Sequence, residues 1–164
     1  MADSRIPDPT LMARLQLSVK GVDWAASLVA HRQHEQPAGD WSARQHVLHL
    51  IEVERVVYQP RISAMLEQIR PVFPDWEPTG EGPADTGEDI AILAEQFMQE
   101  RAALVERFKT LTPEQWARTG VWPDGEVDIA WAAERALSHS LEHFTALLLL
   151  HQKLEKLHAR QWLG

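Results

Sequence analysis

The chain of 164 residues contains no cysteine, and this absence excludes thiolate metal sites, thiol catalysis and a disulfide framework. Any metal site must therefore use nitrogen or oxygen ligands. Positive charge is also scarce, because 16 lysines and arginines stand against 24 acidic residues and the formal net charge is −8. Scattered positive charge in an acidic chain is a poor match for phosphate groups, so we expect no nucleic acid partner.

Long apolar runs are absent as well. The most lipid-like stretch, Ala146–Leu150, is far shorter than a membrane span, and the first residues, Met1–Asp8, lack the apolar segment of a signal peptide. A chain of this length fits one domain with one core, here residues 1–164. These features predict a single-domain cytoplasmic protein that has no membrane partner.

Apolar residues recur at three- and four-residue steps in four segments, and this spacing predicts four amphipathic helices. Their approximate ranges are Pro9–Arg32, Ser42–Arg70, Glu88–Thr110 and Ile129–Leu157. The expected N-caps of the first, second and fourth helices are Asp8, Ser42 and Asp128, and Gln45 is expected to complete a capping box at Ser42. Pro60 is expected to kink or break the second helix. Four such helices bury their apolar faces most simply against one another, which predicts an all-α four-helix bundle.

The connections between these helices are irregular. The segment Pro71–Gly87 is rich in proline and glycine, and it is long enough to cross from one end of a bundle to the other. Thr112–Ala117 is expected to form a short helical turn, and Thr119–Asp128 a loop with a short extended piece but no strand pattern. Three tryptophans in these connections could wall a pocket or a dimer contact: Trp76, Trp116 and Trp122.

Histidines on two of the predicted helices are candidates for a metal site. His139 and His143 are four residues apart, so their imidazoles lie one helical turn apart and can converge on one ion. Such a pair often arises by chance, but the second helix offers His46 and His49 as the other half of a site. At about 100° per residue, His46 lies nearer the centre of its apolar face than His49. On the fourth helix His139 lies at the border of the buried face and His151 nearer its centre, so periodicity leaves several triads open.

A set of short motifs resembles the DinB/YfiT-like family: Trp41-Ser42, then His49-Leu50 and Glu54, and near the C-terminus His139-Ser140-Leu141-Glu142-His143. The resemblance implies an up-down-down-up bundle with a long crossover loop between the second and third helices, usually as a homodimer. It also implies a divalent metal, zinc or nickel, held by three histidines, which here would be His49, His139 and His143. Some members of the family transfer low-molecular-weight thiols or isomerise their substrates, and others are metal-dependent hydrolases.

This resemblance implies an enzyme. Three neutral imidazoles would leave the charge of the metal uncompensated and a coordination position open. A low-molecular-weight thiol or water could then be activated for S-transfer to an electrophilic substrate or for hydrolysis. Glu54 could act as a catalytic base near the metal, accept a hydrogen bond from a metal ligand, or pair with Arg61. His46 could be a fourth ligand, support one of the three ligands, or be a partly exposed surface residue. The alternative is a non-catalytic dimeric stress-response or binding bundle whose metal is structural or absent.

Overall fold

The computed structural model describes residues 6–76 and 80–162. The first five residues, part of the segment in which we expect no signal peptide, lie outside this range. The helices in chain order are α1 (Leu11–Leu28), α2 (Ala43–Val53), α3 (Gln59–Glu67), α4 (Ile90–Lys109), α5 (Pro113–Trp116) and α6 (Ile129–Trp162). A 3₁₀ turn follows α1, a π-helical segment joins α2 to α3, and two strands precede α6: Ala30–Arg32, Glu54–Tyr58, β1 (Thr119–Trp122) and β2 (Gly125–Asp128).

Two apolar clusters fill the bundle, one towards each end. The first contains residues from the start of α1, the start of α6 and the ends of α3 and α4. The second contains residues from the end of α1, the end of α6 and the starts of α2 and α4. Because α1 and α6 therefore run opposite to α4 and to the rod formed by α2 and α3, the predicted up-down-down-up four-helix bundle is confirmed. The connection between α3 and α4 is long because it must return along the length of the bundle.

The N-terminus of α2 is set by a capping box, as the sequence predicts. The backbone N–H of Gln45 donates to the Ser42 hydroxyl (3.2 Å), and the backbone N–H of Ser42 donates to the Gln45 side chain (2.9 Å). By contrast, α1 begins at Leu11 with Thr10 as its N-cap, so the expected cap at Asp8 is wrong. The Asp8 carboxylate instead accepts hydrogen bonds from the backbone and hydroxyl of Thr10.

The π-helical segment Glu54–Tyr58 lies immediately before Pro60, where a kink or break is predicted. There the backbone N–H of Gln59 donates to the carbonyl of Glu54, five residues back. A proline has no N–H and crowds the carbonyl four residues earlier, so a wider turn at this point keeps the rod continuous. The extra residue in the turn leaves both Val57 and Tyr58 buried, although they are adjacent in sequence.

The prediction that Thr119–Asp128 has no strand pattern is wrong, because β1 and β2 form an antiparallel hairpin in which Trp122 pairs with Gly125. Strands of four residues are too short for alternation to stand out. Gly125 has a φ of 117°, a conformation that favours glycine in a tight turn. The backbone N–H of Phe73 donates to the carbonyl of Val121 (2.9 Å), so the hairpin also fixes the loop that follows α3.

The remaining connections agree with the predictions in outline. The predicted turn after Thr112 is α5, and Asp128 caps α6 by accepting from the backbone N–H of Trp131 (2.7 Å).

Within residues 6–76 and 80–162, no helix combines the length and the apolar character that crossing a bilayer requires.

Candidate metal centre

Three histidines meet between the two apolar clusters of the bundle. His49 from α2 and both His139 and His143 from α6 offer ring nitrogens that lie within 4.8 Å of one another. The Nε2 atoms of His49 and His139 are 3.1 Å apart. Two nitrogens that bind one tetrahedral zinc at about 2.1 Å lie about 3.4 Å apart, so this spacing fits a divalent metal. The structure thus brings together the three histidines that the family resemblance implies.

The burial of these histidines differs from the angular estimate. His139 is only 8% exposed and His49 only 5%, whereas His143 is half-buried, so the expected border position of His139 is wrong. Residues outside α2 and α6 cover His49 and His139 and so increase their burial. The Tyr58 ring lies near His139 (centroids 6.4 Å apart), and Trp76 from the loop after α3 stacks on His49 (6.0 Å).

Burial keeps the cluster uncharged. It lowers the pKa of His139 from 6.5 to about 2, with further lowering by the neighbouring His143 and His49. Burial likewise lowers the pKa of His143 to about 3 and those of His46 and His49 to about 4. All four rings are therefore neutral at pH 7, which is the form that binds metals. A divalent ion would supply the positive charge that these rings cannot carry together as protons.

The depressed pKa values predict that the metal-free protein loses stability in mild acid. Well above pH 6.5 the four rings are neutral in both the folded and the unfolded chain. Below pH 6.5 the unfolded chain binds protons that the folded cluster excludes, so the free energy of unfolding falls as the pH falls towards the folded values. We expect a loss of about 1 kcal/mol per histidine at pH 5.5 relative to pH 7.5, measured by urea denaturation. A variant His139→Gln should lose less, and equal stability of the wild type at both pH values would contradict the assignment.

A fourth histidine borders the cluster without belonging to it. The Nδ1 atoms of His46 and His143 are 2.9 Å apart, so one of the two must carry the proton. Because this contact uses Nδ1 of His143, the Nε2 atom of His143 stays available to other partners. His46 is outside the group of three converging nitrogens and lies beside one of them, His143. The sequence alone left its role open.

Trp41 forms a wall of the cluster. Its ring centroid lies 5.4 Å from His46, 5.2 Å from His49 and 6.2 Å from His143. Gly82, with a φ of 78°, packs against the indole, and a Cβ atom there would come within 2.7 Å of the ring. Trp41 therefore contacts the histidines of both helices at once.

Glu54 forms a buried ion pair in the same layer of the bundle. Arg101 from α4 donates to its Oε1 atom from Nε (3.0 Å) and Nη2 (2.5 Å), and each side chain is 1% exposed. The expected structural pairing with Arg61 is wrong, because the guanidinium of Arg61 lies over the Trp122 ring instead. Arg101 also donates to the carbonyl of Ala136 on α6 (3.3 Å). The catalytic role of Glu54 stays a prediction, whereas its link to α4 and α6 is a feature of the structure.

A cavity of about 410 Å³ opens beside the histidines. His49 and His139 line it, together with Tyr58 and the tryptophans of two connections, Trp76 and Trp122. The expectation that tryptophans of the connections wall a pocket therefore holds for these two. Trp116 is instead buried in the first apolar cluster. A small molecule in this cavity would lie next to two of the three converging imidazoles.

The family model of the DinB superfamily matches residues 16–147, and the chain belongs to this superfamily. Its fold is similar to that of YfiT from Bacillus subtilis, which is described as a probable metal-dependent hydrolase with an unusual four-helix bundle topology. The two share 18% sequence identity with a TM-score of 0.75 over 89% of this chain and 86% of that one. At this identity the likeness concerns the fold alone. The search of the curated proteins found no match.

Proposed function

We propose that this protein is a divalent-metal-dependent enzyme in which His49, His139 and His143 hold the ion. The observation that carries the proposal is the convergence of three neutral imidazoles beside a cavity of about 410 Å³. Nitrogen donors of this kind suit zinc and nickel, the two metals we propose for the site. When bound, such an ion acts as a Lewis acid and lowers the pKa of a thiol or water.

The protein groups around the cluster have separate tasks in this proposal. His49 and His139 are the ligands that line the cavity, so the reacting groups approach from their side. His143 is positioned by its contact with His46 on the opposite side. Glu54 does not line the cavity and is held by Arg101, which also donates to the carbonyl of Ala136, one turn before His139. We therefore propose that Glu54 positions His139 through Arg101, in place of the predicted catalytic role. The proposed reactions are S-transfer from a low-molecular-weight thiol to an electrophile, and hydrolysis.

The assembly and location of the enzyme are also proposals. We propose a cytoplasmic homodimer that binds small molecules and not nucleic acid, in agreement with the net charge of −8. Strong retention on DNA at moderate salt would contradict the second part, because an acidic protein has little charge with which to hold phosphates.

Activity measurements test the proposed reaction. Untagged protein, stripped with a chelator and reloaded with zinc or nickel, would be assayed with small thiols against electrophilic aromatic acceptors and with activated esters. We expect turnover that depends on the metal and disappears in His139→Ala but not in His151→Ala. The matched residue His151 lies on the same helix, is half-buried and is outside the cluster.

A second candidate function is a non-catalytic bundle with a structural metal, and the contact between His46 and His143 is the observation that favours it. If His46 moved to complete a closed set of four nitrogens, no position would remain for a substrate. Metal-loaded protein without turnover in any of these assays would favour this alternative.

A further inference from the structure

Among the described residues, one guanidinium at the edge of the cavity has no ion-pair partner. Arg61 on α3 is 7% exposed, and its guanidinium carbon lies 4.7 Å from the Trp122 ring centroid and 5.3 Å from that of Phe73. One of its N–H groups donates to the carbonyl of Pro74 (2.8 Å). Within residues 6–76 and 80–162, no acidic side chain forms an ion pair with Arg61.

The protein compensates the charge of Arg61 only in part. Arginine stays protonated in proteins, and burying a charge without a partner costs free energy. Burial lowers the pKa of Arg61, while Tyr58 and the exposed Asp75 act in the opposite direction. Asp75 and Asp124 also line the cavity, but neither carboxylate forms an ion pair with Arg61. The packing on Trp122 and the bond to Pro74 fix the plane of the guanidinium. No nitrogen of Arg61 is sealed without a partner, so its remaining N–H donors are accessible to a ligand.

Arg61 lines the same cavity as His49 and His139. The cavity also has apolar walls formed by Val53, Val57 and Trp76, and its volume of about 410 Å³ lies near the lower end for small-molecule sites. A planar guanidinium binds a carboxylate through two parallel hydrogen bonds, a geometry that a lysine does not match.

A second cation of the cavity is less suited to anchor a ligand. Arg135 lies one turn before His139 on α6 and also lines the cavity. It already donates to the carboxylate of Glu142 (3.0 Å), and its side chain is 38% exposed. The charge of Arg135 is therefore largely offset by Glu142 and by water, which leaves Arg61 as the cation of the cavity lining without an ion-pair partner among the described residues.

We propose that the cavity binds a small organic carboxylate, with Arg61 holding the carboxylate group and the apolar walls enclosing an aromatic or aliphatic body beside the histidines. This inference rests on the proposed function in treating the cavity as the substrate side of the metal. It defines the substrate class of the proposed enzyme: the electrophile or the hydrolysable compound carries a carboxylate. The contact with Arg61 itself does not require the metal.

Calorimetric titration of the full chain with benzoate and with benzamide, its neutral analogue of similar shape, tests this site. We expect benzoate to bind metal-free wild-type protein about 10-fold more tightly than benzamide, because only benzoate forms charge-assisted hydrogen bonds. Arg61→Gln should abolish this preference. Arg55→Gln, which makes the same charge change at an exposed residue paired with Glu100 outside the cavity, should retain it.

Three results would overturn the proposal. One is equal affinity of the metal-free wild type for the two compounds, and another is a preference that survives Arg61→Gln. The third is a preference that appears only after zinc is added and is unaffected by Arg61→Gln, because the metal would then hold the carboxylate. If Arg61→Gln does not fold, Arg61→Lys replaces it, with weaker benzoate binding expected and unchanged binding as the contradicting result. A benzoate preference without metal-dependent turnover would contradict the proposed function while leaving this site supported.

Discussion

Replacement of Arg101 by methionine is expected to lower the free energy of unfolding by about 3 to 5 kcal/mol. Arg101 and Glu54 are each 1% exposed, and two nitrogens of the guanidinium donate to the same carboxylate oxygen. The substitution would leave the Glu54 carboxylate buried without its partner, and it would also remove the bond to the Ala136 carbonyl. Urea denaturation at pH 7.5 measures the loss.

The matched double variant separates the ion pair from the packing around it. In Glu54→Gln combined with Arg101→Met no buried charge remains, so we expect the double variant to be more stable than Arg101→Met alone. A control, Arg107→Met, removes a less buried arginine of α4 that donates to the Ser63 hydroxyl (2.7 Å), and it should have a smaller effect. If Arg101→Met and Arg107→Met were equally stable, the ion pair would not be an important interaction of this layer.

Loss of His139 is expected to weaken zinc binding by more than about 100-fold. Removal of a residue that only supports a metal ligand reduces affinity by about 10- to 100-fold, and His139 is proposed as a ligand itself. The affinity is measured by competition with a chelating dye at pH 7.5. Zinc at 100 times its dissociation constant should also stabilise the wild type by about 2.7 kcal/mol, a gain that His139→Ala should lose at the same zinc concentration.

Two further variants control this prediction. His151→Ala removes a half-buried histidine of the same helix and should bind zinc like the wild type. His46→Ala removes the partner of His143 and should weaken binding by about 10- to 100-fold, less than the loss of a ligand. If His46→Ala and His139→Ala had equal effects, His46 would be a fourth ligand and the site would be closed.

The sequence predicts the start of a helix well where the capping interaction joins residues that are close in the chain. The capping boxes at Ser42 and Thr112 and the cap at Asp128 each involve a residue three positions later, so the sequence contains both partners. The four apolar stripes predict the bundle in the same way. The hairpin between β1 and β2 could not be predicted in this way, because its strands are short and it is held by hydrogen bonds to the loop after α3.

Contacts between distant elements could not be predicted from periodicity. Arg101 is 47 positions from Glu54. The apolar stripes of α2 and α4 do not specify how the two helices are rotated relative to each other, so this pair could not be predicted. The choice of His49 over His46 came from family resemblance, because helix geometry favoured His46. In the structure Trp76 stacks on His49, and this loop contact gives His49 the greater burial. A buried polar group is therefore placed by the segments that cover it as much as by its own helix.

Three histidines are proposed to bind one divalent ion, and the mechanism depends on this site. X-ray absorption spectroscopy of untagged protein that has been stripped with a chelator and reloaded with zinc or nickel tests it most directly. We expect one ion per chain with three imidazole nitrogens at about 2.0 to 2.1 Å and a remaining position open to solvent or substrate. Substoichiometric metal after incubation with either ion would contradict the site, and four imidazole ligands would contradict an open catalytic centre.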